Sequence, residues 1–376
     1  MLSQKTRIRY LLLFSLFLTP LLSHPSSPDG KKESFDAGKM ILDHIYDSHD
    51  WHLFDWRGHS VSIPLPVILF CPENGIQIFM SSKFNHGHTP HKNYVLITDS
   101  NKRDYIAEDK KEEKELQTGK IYYIKKEEGG AVKIDMTKSA SIWDFSITKN
   151  VVSLFFSVFL LLFIFISISK KYKKNKGSSP SGIQSFLEPL VIFVRDDIAK
   201  TAIGEKHYKK YLPFLLTVFF FIFLNNLLGL IPFFPGGANL TGNIAVPMVM
   251  ASMVFVITTL SGKKHYWQHI FMMPGVPKPV LLILTPIEIM GVFLKPLVLM
   301  IRLFANITAG HIIILSFFSL IFIFGEMHYL AGYGVSILSG LFVLFMMTLE
   351  LLVALLQAYV FTLLSAIYFG MALEEH

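Results

Sequence analysis

The chain has 376 residues, 52% of them hydrophobic, with 35 Lys and Arg against 28 Asp and Glu, and a single cysteine. One cysteine, Cys71, excludes an internal disulfide and any metal cluster built on several thiolates, and reads as a small structural side chain. The net charge of +7 does not point to nucleic acid, because the Lys and Arg stand beside apolar runs, where they set orientation in a membrane.

In chain order, Lys5, Arg7 and Arg9 precede the apolar run 10–22, which Ser23, His24 and Pro25 follow. A basic start, a short apolar core and small residues describe a secretory signal peptide over residues 1–24. The competing reading is a first transmembrane helix, for which the run is short. Residues 25–150 are polar, with a helical piece near 34–48 and alternating stretches in SVSIPLPVILF, GIQIFM, NYVLIT and GKIYYIKK. That pattern predicts short strands and hairpins, an α+β or mostly β region outside the cytoplasm. Asp43, His44, Asp47, His49, Asp50 and His52 have no compact zinc spacing and read as a solvated polar face.

Residues 151–376 read as an all-α polytopic membrane domain. VVSLFFSVFLLLFIFISIS is a transmembrane helix ending on Lys170, Lys171, Lys173, Lys174 and Lys176, which mark a cytoplasmic end. Residues 183–200 mix apolar side chains with Glu188, Arg195, Asp196 and Asp197 and predict an interfacial helix. A second span over 211–231 leads to the charge-free loop PFFPGGANLTGN, and a third over 244–260 returns to Lys263 and Lys264. Two long apolar stretches remain, about 280–324 and 334–372, joined by a turn with Glu326 and His328. Loop charge thus alternates, which predicts five membrane passes with the N-terminal region outside and the C-terminus inside. About 40 helical residues extend about 60 Å against a hydrocarbon core of about 30 Å, so the last two helices must be tilted, curved or broken. Pro286 and Pro296 supply candidate kinks.

These two stretches hold the charges that a bilayer makes expensive, at about 2.5 kcal/mol or more each. Glu288, Lys295 and Arg302 recur every seven residues, so they drift only about 20° per step and share one stripe, with Asn306 a turn further on. His311 points to roughly the opposite side. On the second stretch Glu350 and Gln357 are also seven apart. Antiparallel packing that sets Arg302 level with Gln357 brings His311 near Glu350, since the axial offsets are about 13 and 10 Å. The result is a fixed cation with a polar neighbour and, separately, a His–Glu pair able to relay protons. No acidic residue lies one turn from Arg302, so its counter-charge is expected outside this chain. Glu288 and Lys295 either snorkel to the surface or line a proton path. Asn225 is expected to hydrogen-bond between helices, and Asn226 and Asn243 either do the same or line a wet entry.

The segments NNLLGLIPF (225–233), PIEIMGVFLKPLVLMIRLFANITAGH (286–311) and LLQAYVFTLLSAIYFGMALEEH (355–376) resemble subunit a of F-type ATP synthases, most specifically in IRLFANITAGH. With the five-pass layout, the likeness covers residues 143–376. It implies a non-catalytic, proton-translocating stator subunit in a bacterial inner membrane. Its partners would be the c-ring, the subunit b stator stalk, the F1 sector indirectly, membrane lipid and protons, with no cofactor, metal or nucleic acid. By resemblance, Arg302 would face the ring carboxylates, with Asn306 and Gln357 as polar neighbours. His311 and Glu350 would serve one aqueous half-channel and Glu288 the cytoplasmic one. The signal peptide and the region 25–150 depart from the family pattern. The competing class is a secondary transporter, which would carry internal repeats and two broken helices. A membrane-embedded hydrolase would need a His-Glu-x-x-His or Gly-x-Ser-x-Gly pattern, and the sequence has neither.

Overall fold

In a computed structural model, residues 35–374 are described, except 57–58, 99–100, 106–115, 127–131, 175–178, 232–235 and 274–275. The expected signal peptide lies outside the described residues. The N-terminal region begins with helix α1 (Ala37–Ile45) and strands β1 (Asp50–Trp56), β2 (His59–Pro64), β3 (Pro66–Cys71) and β4 (Gly75–Met80). After a 3-10 turn come β5 (Tyr94–Leu96), β6 (Ile121–Lys126), β7 (Val132–Ile134), the short helix α2 (Met136–Ala140) and β8 (Trp143–Asp144). The four alternating stretches read from the sequence all contain strands. All pairings are antiparallel: a β1–β2 hairpin and sheets ordered β4–β3–β8 and β5–β6–β7.

Period-two alternation builds the core. Val67 and Leu69 of β3 pack against Phe84, Tyr94, Leu96 and Ile121, while Val95, Tyr122 and Ile124 pack on the opposite side of the β5–β6 ladder. Cys71 is buried, as its reading as a structural residue requires. The solvated reading of His49 is corrected: it is 6% exposed, and its Nε2 lies 3.2 Å from the Asp144 carboxylate, which draws the ring inward between β1 and β8.

Helix α3 (Lys149–Lys174) begins four residues after Phe145. Its first amides are capped from the N-terminal region: Lys149 N–H donates to Ser48 O at 2.9 Å and Asn150 N–H to Asp47 Oδ1 at 3.0 Å. Those donors have no partner within the helix itself. Next come α4 (Ile183–Phe193), a π-helical segment (Val194–Lys200) and α5 (Thr201–Ile203), which cover the stretch expected as an interfacial helix and bury Val194, Ile198 and Ala199 in the helical core. In the π segment Asp196 is paired at 2.7 Å with both Arg195 and Lys200.

Helices α6 (Tyr208–Gly229), α7 (Ala245–Ser261), α8 (Lys264–Phe271), α9 (Lys278–Met327) and α10 (Tyr329–Leu373) complete the chain. Among the described residues, four helices are long and apolar enough to cross a membrane, or five if α7 and α8, bent by 103°, count as one span. Leu215, Phe219 and Ile222 of α6, Val254 of α7, Leu299 and Leu303 of α9 and Phe369 of α10 form one buried core. Neither Pro286 nor Pro296 interrupts α9, which runs unbroken for 50 residues. A proline in a membrane helix is tolerated where neighbouring helices re-satisfy the freed carbonyl. The turn between α9 and α10 is a single residue, His328, whose Nδ1 accepts the Leu330 N–H at 3.2 Å and caps α10. Glu326 is not in the turn but in the last helical turn of α9, where it accepts the Phe35 N–H at 3.0 Å.

Candidate functional site

Helices α9 and α10 run antiparallel in a fixed register. Gly332 meets Gly325, the Phe317 and Phe342 rings stack at 5.1 Å, Gly310 abuts Glu350, and Lys295 Nζ sits 5.7 Å from the centre of the Tyr368 ring. These pairings carry Arg302 to the stretch just beyond Gln357, within about a turn of the register expected from sequence.

His311 and Glu350 line one cavity between α6, α9 and α10, together with Asn225, Asn226, Asn239 and Thr241. The space open to water centres is about 10 Å³, room for roughly one water molecule. A Cβ on Gly310 would lie 3.0 Å from Glu350 Cδ, and one on Gly229 would lie 3.7 Å from His311 Nε2. The small residues therefore let both groups lie between helices. Both Glu350 oxygens, Asn225 Oδ1, Asn226 Nδ2 and Asn239 Nδ2 are buried and make no hydrogen bond to the described residues. These are five of the eleven buried side-chain polar atoms without a hydrogen bond among the described residues, a concentration that makes this cavity a candidate site. Asn225 does not bridge helices as expected: its Nδ2 donates to Phe221 O of its own helix at 2.8 Å, leaving its oxygen at the cavity. Asn226 accepts from Thr241 Oγ1 at 2.8 Å, and Asn243 accepts the Ala245 N–H at 3.2 Å, local to the start of α7.

A second space lies toward the other end of the hairpin, where Thr258, Thr259, Tyr266, Lys295 and Tyr368 line it together with apolar residues such as Val254, Val292 and Met371. Lys295 is half-buried in it. Glu288, two helical turns from Lys295, is half-buried and is not among its lining residues. Along α9, Lys295 and His311 are about 24 Å apart at 1.5 Å per residue. The first space adjoins the charge-free loop after α6 and the second adjoins α8, which follows Lys263.

Arg302 stands between the two. It is exposed, as are Asn306, Val298, Ile301 and Ala305 around it, so it projects from an open apolar face of α9. Among the described residues no carboxylate forms an ion pair with it. The Tyr368 hydroxyl is within its electrostatic reach. Gln357 points inward, 6% exposed. Tyr368, Asn239 and Thr241 were not singled out from the sequence. The first is three helical turns beyond Gln357 on the same face, a spacing that could have flagged it, whereas the other two look like ordinary loop residues.

The family profile described as ATP synthase A chain matches residues 151–370. A second profile, described as Domain of unknown function (DUF8433), matches residues 40–145. The protein named ATP synthase subunit a from Chloroherpeton thalassium is 42% identical over 240 residues, 62% of this chain and 69% of that protein. ATP synthase subunit a 2 from Chlorobaculum tepidum is 47% identical over 236 residues, 61% of this chain and 64% of that protein. ATP synthase subunit a from an Anaeromyxobacter species is 40% identical over 253 residues, 65% and 56% of the two chains.

Proposed function

The chain belongs to the ATP synthase A chain family, and from that premise we propose that it forms two proton half-channels against a rotating ring of ion-binding subunits, without bond-making chemistry of its own. The carrying observation is Arg302, exposed on an apolar face, unpaired with any carboxylate among the described residues, and midway along α9 between the two spaces lined by His311 and by Lys295. Its guanidinium stays charged at any working pH, so it attracts an ionised carboxylate on a facing helix and repels a free proton. Asn306, one turn away on the same face, hydrogen-bonds the same passing group.

A proton enters through the cavity of His311 and Glu350 and reaches a ring carboxylate. The neutral carboxyl then turns into lipid, where a charged one would cost several kcal/mol. After nearly a full turn it meets the second space and leaves past Lys295 and Tyr368, with Glu288 further along toward the cytoplasm. Gln357 packs beside the arginine register and holds α10 there. Arg302 separates the two paths and blocks direct leakage, so the proton gradient becomes torque on the ring.

In this reading the protein is a multi-pass subunit of a bacterial inner membrane. α3, α6, the bent pair α7–α8, α9 and α10 make five passes. Residues 25–150 are periplasmic after removal of residues 1–24, the C-terminus is cytoplasmic, and a subunit b stalk links the subunit to the F1 sector. The test is Arg302→Ala in membrane vesicles, followed by ATP-driven proton pumping and passive proton leak. Loss of pumping in an assembled complex, with raised leak, is expected. Unchanged coupled pumping would refute the stator role.

A further inference from the structure

The sheet β4–β3–β8 is apolar on both faces. Alternation sends Val67, Leu69 and Cys71 into the core at 0–1% exposure. The opposite face carries Phe70, Ile76, Ile78, Met80, Trp143 and Phe145, 41–66% exposed. Register makes them one patch: Phe70 pairs with both Ile76 and Trp143, Phe145 N–H donates to Ile68 O at 2.9 Å, and the Trp143 and Phe145 rings stack at 6.3 Å. An antiparallel sheet with one wet face normally puts polar residues there. A contiguous apolar patch instead marks an interaction surface.

Its position identifies what covers it. The start of α3 lies four positions beyond Phe145, a reach of at most about 14 Å. That link is pinned: Ile147 N–H donates to Pro66 O at 3.0 Å, Lys149 N–H to Ser48 O at 2.9 Å, and Asn150 N–H to Asp47 Oδ1 at 3.0 Å. The sheet therefore cannot swing away from the first turn of α3. The apolar run 151–169 of that helix is about 29 Å long, the thickness of a hydrocarbon core, so its first turn lies at the headgroup level. Tryptophan is enriched at that level. One side of α3, at Phe155, Phe159 and Phe163, is 63–69% exposed.

We infer that the outer face of β4–β3–β8 is a lipid-docking surface, seated in the headgroup layer of the extracytoplasmic leaflet. This rests on the reading that α3 crosses the membrane. The native chain has one cysteine, so spin labels can be placed singly in a Cys71→Ala background, at Ile78→Cys, Phe145→Cys, Leu162→Cys and Lys120→Cys, in the full chain reconstituted in phospholipid nanodiscs. Power saturation with oxygen, which partitions into lipid, and a nickel chelate, which stays in water, is the readout. Labels at 78 and 145 are expected to shift toward the lipid-like ratio at 162, while 120 remains water-like. A water-like ratio at 78 and 145 with lipid at 162 overturns the docking surface and leaves the span intact. Shielding from both relaxers at 78 means a protein covers the face, which also overturns it. A water-like ratio at 162 removes the span and the inference together. Should Cys71→Ala not fold, brominated phospholipid must quench the native chain more than Trp143→Phe; equal quenching overturns the proposal.

Discussion

The Glu350 carboxylate fills the room that any side chain at position 310 would need, because α9 and α10 approach each other there with only a hydrogen on Gly310 between them. Overpacking at such a contact costs about 1–3 kcal/mol and displaces the neighbour. Gly310→Ala is expected to reduce ATP-driven proton pumping and Gly310→Val to abolish it, in complexes that still assemble. Gly291→Ala on the same helix, where an added Cβ meets nothing within 4 Å, should pump normally. Equal activity of the three variants would refute the tight approach. The charged and amide groups of this site were legible in the sequence because a polar residue in an apolar run is costly and conspicuous. Asn239 and Thr241 were not, since polar residues in a loop carry no such signal. Tyr368 was not, since a tyrosine near a helix end reads as an interfacial anchor. The interior place of His49 was hidden for another reason: its partner Asp144 is 95 residues away.

Elements came through best where their periodicity was long. The long apolar helices were predicted within a few residues and the strands of the alternating stretches were found, but β1 was missed because its Asp and His residues read as a solvated face, and β7 and β8 are two or three residues long and have no period to detect. β8 nevertheless ties the N-terminal region together through Asp144. Burial alone would raise the Asp144 pKa, but hydrogen bonds from His49 and Ser146 outweigh it and hold the carboxyl below its ordinary value. A carboxylate lowered on folding adds stability that is present above its unfolded pKa, about 3.9, and is lost as pH falls through the lower folded value. Asp144→Asn should therefore make the region 35–148 more sensitive to limited proteolysis at pH 7, and the difference from the native chain should vanish at pH values below the folded pKa. A difference that persists unchanged in acid would show that Asp144 acts by packing rather than by charge.

At the scale of the whole molecule, the long apolar helices were readable because runs of about 20 apolar residues are conspicuous, and loop lysines that alternate with charge-free loops add an expected orientation. What the sequence did not reveal was how the N-terminal region meets the long helices. Those contacts use backbone donors at 35, 149 and 150 and a few side chains, none of which forms a pattern along the chain. The alternation makes an orientation prediction. A membrane-impermeant maleimide should label Lys120→Cys but not Lys173→Cys in cells whose outer envelope is opened, with Cys71 silent because it is buried. Reversed labelling would invert the molecule.

The cap on α3 comes from Asp47, 103 residues earlier in the chain than the amide it accepts from. In the orientation proposed above, the capping carboxylate would cross the membrane ahead of the amide it accepts from, and the hydrogen bonds at the start of α3 would close only once both segments stand on the same side. The outer region and the entry point of the helical domain are then tied together at one place on the chain.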